Sequence, residues 1–191
     1  DNDLEIQLYT EILLKFKLRS GDIIEEKDLK DILLQNQIYE AKNTSLRLLS
    51  KRMRTEKEII DKLKQKKFED SIITQTINEL KRINLINDEE FVDKFINNTI
   101  TLNKNYGRYA LLNKLIKFGI SKNLANERIS KLLTDNDEYE TALSAAKKKL
   151  LNLKRYDESK KIQRLISFLS GRGYNWDIIK KVLSELKINY E

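Results

Sequence analysis

Three stretches of the chain align with one another without a gap: EIIDKLKQKKFEDSIITQTINEL (58–80), ALLNKLIKFGISKNLANERISKL (110–132) and RLISFLSGRGYNWDIIKKVLSEL (164–186). Such internal likeness confines a chain to repeat architectures, because each unit buries its apolar face within itself and against its neighbours. Ile59, Leu111 and Leu165 correspond, as do Leu63, Leu115 and Leu169, then Phe68, Ile120 and Tyr174. The second half continues with Ile72, Leu124 and Ile178, then Ile77, Ile129 and Leu183, and finally Leu80, Leu132 and Leu186. Steps of four, five, four, five and three residues spell helix, tight turn, helix, each helix presenting one apolar stripe to a shared core.

The turn in the middle of each pair has its own chemistry. A helix ending in a Schellman motif places its C′ residue in the left-handed region, which suits Gly, and packs the C″ residue on C3. With Gly119 and Gly173 at C′, Ile120 and Tyr174 fall at C″ and Leu115 and Leu169 at C3, so both contacts are apolar. Ser121 and Asn175 then stand as N-caps of the next helix. The first pair carries Lys67 at C′ and Glu69 at the cap. The basic turn Gly171-Arg172-Gly173 therefore reads as a helix stop in preference to a phosphate cradle, with Gly171 only loosening the last turn.

A longer helix precedes each pair. Tyr39-Glu40, Glu90-Phe91 and Tyr139-Glu140 open these segments, and in the last of them Leu143, Ala146, Leu150 and Leu153 form the buried stripe. The expected organisation is a lead-in over 1–36 and three-helix repeats over 37–86, 87–133 and 134–191. Their period of about fifty residues exceeds the roughly 34 and 33 of tetratricopeptide and ankyrin repeats. Proline is absent and glycine occurs five times, so helices should dominate. The predicted fold is all-α, an elongated, curved array of three tandem three-helix repeats with a short helical or mixed lead-in. In that lead-in the alternation of Leu4, Ile6 and Leu8 allows a short strand, Ile12, Leu13 and Phe16 follow helical spacing, and Gly21-Asp22 breaks the chain. Leu29, Ile32 and Leu33 mark one helix before another that contains Leu46, Leu48 and Leu49.

Cysteine and histidine are both absent, which removes thiol nucleophiles, imidazole bases, zinc sites and disulfides together. A carboxylate-only metal site has one dense candidate, Asp88-Glu89-Glu90, but these residues stand where a helix should begin, with Asn87 as its cap, and acidic side chains there complement the helix dipole. No paired carboxylates stand apart from helix caps, so neither an enzyme nor a cofactor is expected. No apolar run is long enough to cross a bilayer, and no charged-then-apolar leader follows Asp1. The expectation is a soluble, cytoplasmic, monomeric protein.

The net charge of +7 points to a polyanionic or acidic partner. Residues 1–50 hold seven Lys and Arg against ten Asp and Glu, residues 101–150 hold ten against five, and residues 151–191 hold nine against five. The basic half is the C-terminal half. Lys147, Lys154 and Lys161 recur every seven residues, Lys148 and Arg155 repeat that spacing one position on, and Lys149 adjoins them. On a continuous helix they would share a face, but Asp157 and Glu158 signal a break near Tyr156, across which the patch either converges or divides. The run NKNYGRY (103–109) sets Lys104 and Arg108 beside Tyr106 and Tyr109, tyrosines that either stack on bases or pack on a neighbouring helix. Lys114, Lys117, Arg164 and Arg172 complete the candidate nucleic-acid or filament surface. Arg52 and Arg54 precede the capping box Thr55-Glu58 and either face the partner or solvate a helix junction, the junction being the favoured reading. Trp176 reads as a packing anchor.

The run LLSKRMRTEKEIIDKLKQKKF, followed by INDEEFVDKFI, YGRYALLNKLIKFGI and FLSGRGYNWDIIKKVL, resembles the RecX family of bacterial regulators of the RecA recombinase, over roughly residues 37–187. The resemblance implies a non-enzymatic modulator that binds RecA and lodges in the groove of its filament on single-stranded DNA. It further implies inhibition of ATP hydrolysis, strand exchange and co-protease activity. Lys67 in place of Gly and the acidic N-terminal segment depart from the pattern. A second reading is a helix-turn-helix protein that binds duplex DNA through the second helix of each pair, although of these only the third carries adjacent lysines.

Overall fold

The computed structural model describes residues 5–102 and 105–188, and among these it forms ten helices and no strand. They fall into two compact units, Asp1–Asn87 and Asp88–Glu191. No helix among the described residues is long and apolar enough to cross a membrane.

The first unit holds α1 (Thr10–Phe16), α2 (Glu26–Leu49), α3 (Glu56–Gln65) and α4 (Asp70–Arg82). Residues 5–9 are irregular. The alternation that allows a strand there finds no partner strand; instead Tyr9 N–H donates to the Asn36 side chain, whose amide donates to the Gln7 carbonyl. The two helices expected between Leu29 and Leu49 are one helix of 24 residues, because neither Gly nor Pro interrupts it. Tyr39-Glu40 therefore lies within α2 and opens nothing. One face of α2 buries Ile38 and Ala41 against Ile59, Leu63, Ile72, Ile77 and Leu80 of α3 and α4, the positions that the repeat singles out.

The second unit holds α5 (Asp88–Thr101), α6 (Arg108–Lys117), α7 (Lys122–Leu132), α8 (Asp135–Leu151), α9 (Glu158–Gly171) and α10 (Trp176–Glu185). Leu111, Leu115 and Ile129 are buried as the alignment requires, but on α7 the inward register is Ala125, Ile129 and Leu133, with Leu124 and Leu132 only half-buried. Phe91, Phe95 and Phe118 close this core in edge-on and stacked pairs 5.4–6.2 Å apart. The last core joins Ala142, Leu143 and Ala146 of α8 to Leu165 and Leu169 of α9 and Ile178, Ile179, Val182 and Leu183 of α10.

All three inner turns are Schellman motifs. The C″ N–H groups of Phe68, Ile120 and Tyr174 donate to the carbonyls of Leu63, Leu115 and Leu169 at 3.3, 3.1 and 3.3 Å. Lys67, Gly119 and Gly173 take φ of 64°, 90° and 84°, as the C′ position demands. Ser121 and Asn175 cap the following helices through the N–H groups of Leu124 and Ile178, whereas Glu69 makes no side-chain cap. Asp88, Glu89 and Glu90 occupy the first turn of α5, where Glu90 pairs with Lys94. Among the described residues no cluster of three or more carboxylates could hold a metal ion.

Candidate nucleic-acid interface

The cations of the second unit divide by what their side chains touch. Lys160, Arg164 and Phe168 stand four residues apart on α9 and so lie one above the other on one face. Arg172 follows at the C-cap, and the end of α8 brings Lys149 to the same place. Phe168 carries Lys149 Nζ at 5.1 Å and the Arg172 guanidinium carbon at 5.0 Å from its ring centre. Tyr156 carries Arg164 at 4.4 Å and Arg155 at 5.2 Å. Arg155 also donates to the Tyr156 hydroxyl at 3.2 Å. That bond, then the charges of Arg155, Arg164 and Lys149, hold the phenol below its ordinary range. Lys149, Lys160, Gln163, Arg164, Ser167 and Phe168 line a shallow hollow.

A second hollow lies beside the C-terminal end of α9, lined by Tyr106, Tyr109, Lys114, Lys117, Ser170 and Gly171. Lys114 Nζ sits 4.4 Å from the Tyr106 ring centre. The main chain fixes the two segments together: Gly107 N–H donates to the Arg172 carbonyl at 2.9 Å, and Tyr109 N–H to the Gly173 carbonyl at 3.1 Å. Neither hollow has a carboxylate in its lining.

The other sequence candidates fare differently. Arg108 faces inward, bonded to Asp135 and to the fully buried Glu138. Lys161 is mostly covered and pairs with Glu158. Lys147, Lys148 and Lys154 are exposed. The seven-residue spacing aligns none of these side chains, because α8 ends at Leu151 and α9 starts only at Glu158, capped by Asp157. Lys104 lies outside the described residues. Arg52 and Arg54 both pair with Glu58, and Arg54 also donates to the Leu48 carbonyl, at the α2–α3 junction. Trp176 is half-exposed in the first turn of α10. Sequence reasoning missed Tyr156, Lys160 and Phe168; the signal was the cation, ring, cation register Arg164, Phe168, Arg172 at steps of four.

The arrangement is a donor-rich, shallow, cationic surface whose charge is complementary to phosphate. A family model described as RecX, first three-helix domain, matches residues 41–80, and one described as RecX, third three-helix domain, matches residues 136–183. The chain is 35% identical over 191 residues to the regulatory protein RecX of Clostridioides difficile (strain 630), covering 100% of this chain and 88% of that protein. Its fold matches a crystal structure of regulatory protein RecX with a TM-score of 0.81 at 21% identity, over 93% of this chain and 86% of the other. It also matches the crystal structure of RecX from Lactobacillus salivarius with a TM-score of 0.73 at 26% identity, over 81% and 99%. With a relative 35% identical over the whole of this chain and 88% of its own length, and with helices in the arrangement the solved structures show, the chain belongs to the RecX family of regulatory proteins.

Proposed function

We propose that this protein restrains the RecA recombinase by binding its filament on single-stranded DNA, inhibiting ATP hydrolysis, strand exchange and co-protease activity, and so acting in recombination, DNA repair and the SOS response of the cytoplasm. The observation that carries this reading is the ring-braced cationic surface of α6, α8 and α9 in a chain of the RecX family. A filament rich in phosphate offers the complementary charge, and the attraction operates without base-specific contacts. Lys114, Lys117, Lys147, Lys148, Lys149, Lys154, Arg155, Arg164 and Arg172 are the residues proposed to face it.

The duplex-reading alternative has less support. In the second helices of the three pairs, Lys81 pairs with Glu56, Arg128 with Asp93 and Lys180 with Asp177. A recognition helix needs such side chains turned toward base edges. The deciding experiment titrates the protein, at substoichiometric amounts, into cognate RecA hydrolysing ATP on single-stranded DNA. Suppressed hydrolysis is the expected result, and unchanged hydrolysis across the full titration overturns the proposal.

A further inference from the structure

On the basic surface the rings of Tyr106, Tyr156 and Phe168 already carry cations, whereas among the described residues none lies over Tyr109, which is 56% exposed in the second hollow. Lys114 covers Tyr106, Arg155 and Arg164 flank Tyr156, and Lys149 and Arg172 flank Phe168, all within 4.4–5.2 Å of the ring centres. A nucleobase that stacks on protein needs a bare ring face. Tyr156 and Phe168 also pack against the core of α8, α9 and α10, and a base on either ring would have to displace the cations that lie over it. The rings therefore serve the cations rather than the bases: they restrict long, mobile side chains to one place. A guanidinium lying on a ring still presents its N–H donors at the rim, in the fork that matches phosphate oxygens. The hollow between Lys149 and Phe168 adds Lys160, which pairs with Asp157 at 3.0 Å, and the amphoteric groups of Gln163 and Ser167.

We infer that the ligand of this surface is the phosphate chain of a flexible polyanion, gripped by ring-braced cations with the bases left outside. The surface reads the spacing of negative charge and takes a phosphodiester chain without bases, or inorganic polyphosphate, on the same residues. This inference rests on reading the surface as the nucleic-acid-facing side of the protein.

The test is competition against a labelled oligothymidylate bound to the full chain. The competitors are unlabelled oligothymidylate, an oligomer of equal length with abasic tetrahydrofuran units throughout, and polyphosphate of matched charge. The abasic chain is expected to compete within about threefold of oligothymidylate, since a stacked base would contribute roughly five- to hundredfold each. Polyphosphate is expected to displace the label as well. A tenfold or larger deficit for the abasic chain, or failure of polyphosphate to displace, overturns the inference, as does absence of any oligonucleotide binding. Phe168→Leu and Tyr156→Leu keep apolar bulk while removing the ring. Both should weaken the oligothymidylate and abasic chains alike, and a loss confined to oligothymidylate overturns the inference. Suppression of RecA's ATP hydrolysis, measured on the same preparation, separates the two readings. Suppression with a failed abasic match removes only the inference, and an abasic match without suppression removes only the proposed function.

Discussion

Arg108 meets Glu138 twice: its backbone N–H lies 2.8 Å from one carboxylate oxygen and its Nε lies 3.2 Å from the other. Glu138 is fully buried, and the Arg108 side chain is 29% exposed. A carboxylate so placed is stable only while its partners stay, because removing one leaves charge without compensation. An arginine expected at a binding surface is thus used to seat α6 on α8.

Truncating Glu138→Ala takes the acceptor from the backbone N–H of residue 108 and leaves the guanidinium only Asp135, and truncating Arg108→Ala leaves the buried carboxylate that backbone N–H alone. Each should cost about 2–4 kcal/mol, somewhat under the value for a wholly buried pair because Arg108 reaches solvent. The double variant should lose less than the sum of the two, since the partners touch. Urea midpoints of the four proteins complete the cycle; strict additivity would show that the pair is not coupled.

Gly171 and Gly173 are two residues apart and should respond to alanine with opposite signs. At Gly173 φ is 84°, and an added Cβ would lie 2.2 Å from the Ala110 nitrogen. Gly173→Ala should therefore cost about 2–4 kcal/mol, from left-handed strain and overpacking together. Gly171 is the last residue of α9, and a Cβ there meets nothing within 4 Å. Gly171→Ala should stabilise by about 0.5–1 kcal/mol. Thermal melts of both variants against the parent decide it.

Lys67 occupies with a side chain the position that Gly119 and Gly173 hold without one, at φ 64°. The Schellman bond from Phe68 to Leu63 is present all the same, so strain is tolerated and the turn kept. Lys67→Gly should raise stability by about 1 kcal/mol, the left-handed penalty less the entropy glycine loses on folding. A clear drop in melting temperature would contradict the turn assignment.

The inner turns were legible in sequence because each rests on local rules: an apolar C3 and C″, a C′ residue in the left-handed region and, before α7 and α10, an Asn or Ser cap. The helices they join were legible from spacing alone. What spacing hid depended on partners distant in the chain. The unbroken run of α2 through Tyr39 was legible in its lack of Gly and Pro, whereas the choice of Ala125 over Leu124 follows from packing of α7 on α5. Arg108 read as a surface cation because Glu138 lies thirty residues away. Phe168 drew no reading, because the cations on its ring come from the end of α8 and the C-cap of α9.

Removing the ring-held cations should change the salt dependence of binding, not only its strength. On single strands the slope of log K against log salt is about −0.7 per phosphate neutralised. Replacing Lys149, Arg155 and Arg164 by Gln should therefore flatten the slope by about 2. Changing the exposed Lys147, Lys148 and Lys154 in the same way tests the neighbouring surface with no ring involved, and should flatten it less, because mobile side chains neutralise phosphates less completely. Equal slopes for the two triple variants would show that ring contact adds nothing.

Glu58 gives the α2–α3 junction a predictable response to acid. Burial raises its pKa, but the hydrogen bonds from Arg52 and from Thr55 N–H, with the charges of Arg52 and Arg54, outweigh that and hold it below the ordinary 4.5. A carboxyl whose folded-state pKa is depressed contributes stability above its unfolded value, and that contribution disappears as pH falls through the folded value. Glu58→Gln keeps a side chain able to complete the capping box with Thr55 while removing the charge that both arginines meet. The parent should therefore be more stable than Glu58→Gln at neutral pH, and the gap should close on acidification below about 4.5. Denaturant midpoints from pH 7 to pH 3 for the two proteins measure that gap; one that stays constant over the whole range would mean that the charge on Glu58 stabilises nothing.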